Sequence, residues 1–194
     1  MWAVDTERIE SVAEHIYGTQ MLALAINCEF DLGFDMTRVA LMLAVHELGE
    51  CIVGDIPASA CTMSQEEKNR LEREAVTTIL KGLHNSEYIN QLCIEFEERK
   101  TPMARFAHLV DKLECDLQCK FYEETGCNDL ERARPQIVKE KMQPYLERGL
   151  TTVASIWISI DKKLVFEDEE LFESIIDYIV GNKVFTIDEF SAKE

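Results

Sequence analysis

At 194 residues, with 46% hydrophobic and 29% charged content, the chain has the balance of a globular protein with material for one buried core, which excludes a disordered or fibrous chain. A formal charge of −17 sets it against long nucleic acids, whose phosphates it would repel without a basic stripe, and the sequence has none. No run approaches the roughly 18–20 apolar residues of a membrane span and no secretory leader is recognisable, so a cytoplasmic protein with no membrane partner is expected.

Apolar positions recur at helical spacing along most of the chain, whereas strand-like alternation is nearly absent, so the expected fold is all-α. The first helix is predicted from about Glu7 to Glu29, with Asp5 or Thr6 as its cap. Asp35 caps a second helix that runs through Val39, Leu43, Val45 and His46 and loosens at the turn Gly54-Asp55-Ile56-Pro57. Ser64-Gln65-Glu66-Glu67 has the form of a capping box, and its helix should stop near Lys81-Gly82. Thr101-Pro102 reads as an N-cap followed by proline at the first helical position, opening a long helix through Phe106, Asp111 and Leu117 that ends near Gly126. Leu130–Leu146 and Glu169–Val180 also read as helical, while Thr151–Ile160, rich in β-branched residues, fits helix or strand. With no repeat or linker, residues 1–194 are read as a single domain: a motif-bearing part over about 2–122, C-terminal helices over 129–181 and a tail over 182–194.

The seven cysteines are odd in number and scattered through helical stretches, which is unlike a disulfide framework, and reduced thiols are the simpler reading. Cys115 and Cys119 have the spacing to share a soft metal, but no second pair completes a zinc site.

The string Val45-His46-Glu47-Leu48-Gly49-Glu50 packs an imidazole and two carboxylates into little more than one helical turn. Neighbours on a helix lie about 100° apart and Glu50 returns to the His46 side, so one metal could take His46 and Glu47 while Glu50 addresses a water. The same string equally fits an amphipathic helix with a core histidine and a solvated glutamate pair. A zincin would carry a second histidine where Glu50 stands, which argues against a metalloprotease. Elsewhere His15 lies in an otherwise apolar stretch of the first helix, and Asp111 sits between Val110 and Leu113, where an unpaired buried carboxylate would be costly without a cation.

Four successive blocks resemble those of the HD-domain 5′-deoxynucleotidases: Arg8-Ile9-Glu10-Ser11-Val12-Ala13-Glu14-His15, His46-Glu47-Leu48-Gly49-Glu50, Gly54-Asp55-Ile56 and Val110-Asp111-Lys112-Leu113-Glu114. The resemblance covers roughly Trp2 to Tyr122 and implies a compact multi-helix bundle with a metal site between helices. It places His15, His46, Glu47 and Asp111 at the ligand positions for one divalent ion, with Mn, Co, Fe, Zn or Mg all suited to such donors. It makes Glu50 the carboxylate that handles the attacking water and Asp55 a second catalytic or sugar-contacting acid. Trp2 matches a tryptophan that grips the nucleotide, and Glu95-Phe96-Glu97 matches an acidic block near the substrate, although Glu95 and Glu97 equally fit exposed charges on an acidic helix. Arg8 is available to a phosphate and equally to Asp5 or Glu10.

The chain departs from the family in one respect at the dyad: glutamate 47 replaces the usual aspartate and reaches one methylene further. Of the other histidines and tryptophans, His108 reads as a helix-surface residue with a second-sphere role as the alternative, His84 as exposed, and Trp157 as packing. The implied activity is metal-dependent release of phosphate from a small nucleotide, deoxynucleoside 5′-monophosphates first, by an enzyme expected to be a homodimer. Alternatives are a regulatory metal- or nucleotide-binding module with little turnover, and an HD hydrolase acting on nucleoside triphosphates or cyclic nucleotides. A two-metal oxygenase or phosphodiesterase would need more histidines in the cleft, and only His84 and His108 remain.

Overall fold

The computed structural model describes residues 9–54, 63–128, 130 and 136–184. Among these, every regular element is an α-helix: α1 (Val12–Phe30), α2 (Met36–Val45), α3 (Glu50–Val53), α4 (Gln65–Leu80), α5 (Ser86–Glu98), α6 (Pro102–Glu124), α7 (Gln136–Glu147), α8 (Val153–Leu164) and α9 (Glu170–Gly181). The candidate caps Asp5 and Thr6, the site residues Trp2, Arg8 and Asp55, and Cys61 lie outside the described residues. The described residues divide within α6 into two compact units, one between Glu10 and Asp111 and the other from Lys112 onward.

In the unit over Glu10–Asp111, short-range chemistry fixes most helix ends. The first helix starts at Val12 rather than near Glu7, because Ser11 is extended (φ −86°, ψ 157°) and forms a reciprocal capping box with Glu14. Asp35 accepts the Thr37 and Arg38 backbone N–H groups, as expected for the second helix. Ser64 accepts from Glu67 N to open α4, and Gly82, at φ +88°, follows its end. Thr101 Oγ1 accepts from Ala104 N (3.1 Å), with Pro102 as the first helical residue of α6.

The expected continuous helix from Asp35 to Gly54 is broken. It ends at Val45, and the chain passes through His46–Gly49 by turns whose bonds span three residues, Leu48 N to Val45 O and Glu50 N to Glu47 O at 3.1 Å each, before α3 begins. At the end of this turn Gly49 lies so close to α4 that a Cβ there would stand 2.9 Å from Glu72 Cβ and 3.0 Å from Glu72 O. The core of this unit gathers Ala23, Val39, Met42, Leu43, Leu92 and Val110, all essentially inaccessible to solvent, the side chains larger than alanine each worth roughly 1.5–3 kcal/mol of burial. Gln20 Nε2 donates to Ala40 O (2.8 Å) between α1 and α2, and Arg38 Nε donates to Glu95 Oε2 (2.9 Å) between α2 and α5.

In the second unit, the stretch that fitted helix or strand is α8, opened by a capping box between Thr152 and Ser155. Met142 and Ile156 form a small core with Leu130, Tyr145, Leu150 and Ile160, and the Phe166 and Phe172 rings stack with centroids 5.8 Å apart. Trp157 is half-buried on α8, in keeping with a packing role.

Candidate metal centre

Three stretches of the first unit bring their polar side chains to one point. The Ser11–Glu14 box holds the start of α1 and sets His15 one turn further on the same helix. The break after Val45 presents His46 and Glu47 from a turn, and Asp111 comes from α6, 3% exposed. Donor atoms of His15, His46, Glu47 and Asp111 all lie within 4.8 Å of one another. His15 Nε2 is 3.2 Å from Asp111 Oδ1, and His46 Nε2 is 3.1 Å from Glu47 Oε1 and 3.6 Å from Asp111 Oδ1.

The His46 ring is oriented by its other nitrogen, which sits 2.7 Å from the Leu43 carbonyl and therefore carries the proton in that contact. Nε2 is then directed at the carboxylates, yet it is buried and aligned with no hydrogen-bond partner. An orphaned imidazole nitrogen among two carboxylates and a second imidazole is a donor set that a divalent cation satisfies, and the residues fit the ion. Burial by itself would lower the His46 pKa, but the pull of the Asp111 and Glu47 carboxylates outweighs it and pushes the value up to about 9. Burial would raise Glu47, but His46 holds it down at about 2.

Glu50 joins from α3. Burial and a hydrogen bond with Glu47 push its pKa up to about 8, while Lys68, with Nζ 3.2 Å from Glu50 Oε1, pulls the other way.

The aromatic wall is Phe96 of α5, with its ring centroid 4.9 Å from that of His46 and 6.1 Å from that of His108. His108 is not a surface residue: its side chain is 12% exposed, and Nδ1 stands 4.0 Å from Asp111 Oδ2. His84 is exposed. Glu97 is held in a two-point ion pair by Arg73 of α4 (2.7 and 2.6 Å), and Glu95 is bound by Arg38 and by the Thr101 hydroxyl (2.8 Å). Neither is among the four converging donors. Lys68 and His108 are the additions to the sequence-derived set. His108 was visible as a histidine one turn before Asp111, whereas Lys68 stands in an ordinary Glu-Glu-Lys run on α4.

Residues 1–154 match the family model described as HD domain. The chain is 32% identical over 168 residues to the 5′-deoxynucleotidase hdd1 of Schizosaccharomyces pombe, covering 81% of this chain and 83% of that protein. It is 38% identical over 117 residues to the 5′-deoxynucleotidase HDDC2 of Danio rerio, covering 59% of this chain and 56% of that protein, so the match spans little more than half of this relative. Among solved structures the PH0347 protein from Pyrococcus horikoshii OT3 has a similar fold, with a TM-score of 0.59 and 23% identity over 89% of this chain and 84% of that one. Among the described residues no helix is long and apolar enough to cross a membrane.

Proposed function

The chain belongs to the HD-domain family, and from that premise we propose that it is a metal-dependent phosphohydrolase that releases phosphate from deoxynucleoside 5′-monophosphates. The observation that carries this reading is the convergence of His15, His46, Glu47 and Asp111 around a buried His46 Nε2 that has no hydrogen-bond partner. These four residues would hold one divalent ion, drawn from Mn, Co, Fe, Zn or Mg. Such an ion, when bound, supplies Lewis-acid charge neutralisation to a phosphoryl group and makes water a better nucleophile.

The protein's own groups do the rest. Leu43 O fixes the His46 ring so that Nε2 faces the site. Glu50 takes the proton from the attacking water onto a carboxylate oxygen, and Asp55 serves the leaving 5′-oxygen. Phe96 closes one side of the centre with an apolar face, which excludes bulk water from the histidines. Trp2 and Arg8 are assigned to the nucleotide's base and phosphate, and Glu97, which keeps free lone pairs in its pair with Arg73, to a sugar hydroxyl. The family match over residues 1–154 runs across the division in α6, which supports reading the chain as one HD-type domain.

A homodimer completes the proposal. Tyr17, Met21 and Leu24 recur at helical spacing on α1 and are exposed, an apolar stripe that a second copy would cover. A cytoplasmic location agrees with the free thiols of Cys28, Cys51, Cys93, Cys115, Cys119 and Cys127.

The test is metal analysis of the purified protein, followed by phosphate release from a panel of nucleoside mono-, di- and triphosphates and cyclic nucleotides with each candidate ion restored. About one ion per chain and preference for deoxynucleoside monophosphates are expected. Metal bound with no turnover on any substrate would point instead to a regulatory module. Preference for triphosphates or cyclic nucleotides would move the chain to another activity of the same family.

A further inference from the structure

We propose that Lys68 is the positioning residue of Glu50, holding the carboxylate in the orientation that lets it act on water. The inference rests on the assignment of Glu50 in the proposed reaction. Lys68 Nζ lies 3.2 Å from Glu50 Oε1 and, on its other side, 3.2 Å from Glu72 Oε1. Glu50 in turn lies against Glu47, so the line Glu72, Lys68, Glu50, Glu47 ends on a candidate metal ligand. Two carboxylates thus meet one ammonium in a partly buried setting, with Lys68 20%, Glu50 15% and Glu72 25% exposed at the side chain.

The geometry is built rather than incidental. Lys68 and Glu72 are one turn apart on α4 and share a face. The backbone of Glu72 is also the surface against which Gly49 lies with no room for a Cβ, and Gly49 immediately precedes Glu50. The α3–α4 register that puts Lys68 against Glu50 is therefore set beside the pair itself. Stability is a poor reason for such an arrangement, because ion pairs taken out of water gain little over apolar side chains of the same size. Positioning is a better one. A flexible glutamate pinned at one oxygen by a lysine, itself pinned by Glu72, loses the rotamers that would turn it away from the site, and without the ammonium Glu47 and Glu72 would repel it.

The experiment is a double-mutant cycle on phosphate release from a deoxynucleoside 5′-monophosphate, with metal content and melting temperature measured for every variant. Lys68→Met should retain the metal and KM while lowering kcat by about 10–100-fold, within the usual range of a positioned acid or base. Lys68→Arg should recover most of the loss. In a Glu50→Gln background, Lys68→Met should change kcat by less than about twofold, because a residue that acts only through Glu50 has nothing left to position. Glu72→Gln, which loosens Lys68 from behind, provides a second variant should Lys68→Met fold poorly, and should give a smaller loss in the same direction. A full Lys68 effect persisting in the Glu50→Gln background, a rise in KM with unchanged kcat, or wild-type kcat in both Lys68→Met and Glu72→Gln would overturn the inference while leaving the role of Glu50 intact. Full activity of Glu50→Gln itself would instead overturn the reading on which the inference rests.

Discussion

His15 Nε2 and Asp111 Oδ1 stand 3.2 Å apart, a contact between the first turns of α1 and the middle of α6 that neither helix needs for its own stability. Facing Asp111 is the buried His46 Nε2, which has no hydrogen-bond partner, so a cation bound here should stabilise the fold as well as enable the reaction. Dialysis against a chelator should lower the melting temperature. Restoring the ion at about 100 times its dissociation constant should return about 2.7 kcal/mol. His46→Ala and Asp111→Asn should each abolish the metal-dependent shift, read by differential scanning fluorimetry with and without ion. An unchanged shift in both variants would remove them from the ligand set.

Glu50 separates catalyst from ligand. Its replacement by alanine should leave about one ion per chain while cutting kcat by about 10²–10⁴-fold, the span of a positioned acid or base. Loss of the metal in that variant would make Glu50 a ligand and make Glu47, which lies 3.1 Å from His46 Nε2, the better candidate for the base.

Gly49 is required by space and not by backbone conformation, since its φ of −63° suits any residue. A Cβ there would meet Glu72 Cβ at 2.9 Å and the Glu72 backbone at 3.0–3.1 Å, and backbone cannot step aside as a side-chain tip can. Gly49→Ala should therefore cost about 1–3 kcal/mol by overpacking, read in urea denaturation, and should lower kcat by moving Glu50 away from Lys68. A stable, fully active Gly49→Ala protein would show that α3 and α4 are less tightly set than their contact implies.

The parts of this architecture that were legible in sequence are those written locally. Asp35, Ser64 and Thr101-Pro102 mark helix starts by side-chain acceptors for free N–H groups, and Gly82 marks a stop by its left-handed φ. Ser11-Val12-Ala13-Glu14 carries the same signal, but helix-compatible residues upstream carry the pattern past the true start at Val12. The four ligand candidates were legible as polar residues out of place on apolar faces and as ordered blocks. The break after Val45 was not, and the packing of Gly49 on Glu72 that goes with it involves a helix that begins many residues later. Lys68 was hidden for the same reason: nothing in Glu66-Glu67-Lys68 distinguishes a lysine that reaches Glu50 from one that reaches water.

Asp116, in the unit that follows Asp111, gives a prediction free of the metal. Its side chain is fully buried, and neither carboxylate oxygen has a hydrogen-bond partner. Burial and the nearby Asp161 carboxylate raise its pKa well above the ordinary 3.8, with Lys112 opposing. The sign of the linkage follows. Between 3.8 and its folded value, the folded protein keeps a proton that the unfolded chain releases, so this group's contribution to stability declines as pH rises through that window. Below the unfolded value both states are protonated and the penalty is gone. Asp116→Asn keeps the shape of the protonated acid and cannot ionise, so it should be more stable than wild type near pH 8, by about 1–3 kcal/mol if the buried carboxylate is the main cost. For a chain of this length that is a shift of about 2–4 °C per kcal/mol. The gap should close as the pH is lowered towards 4. Melting curves of the two proteins taken in parallel from pH 4 to 8 read Asp116 together with the Asp161 carboxylate it faces, because titrations that the substitution leaves alone cancel in the difference. A gap that stays constant across the range would mean that Asp116 does not change its protonation on folding.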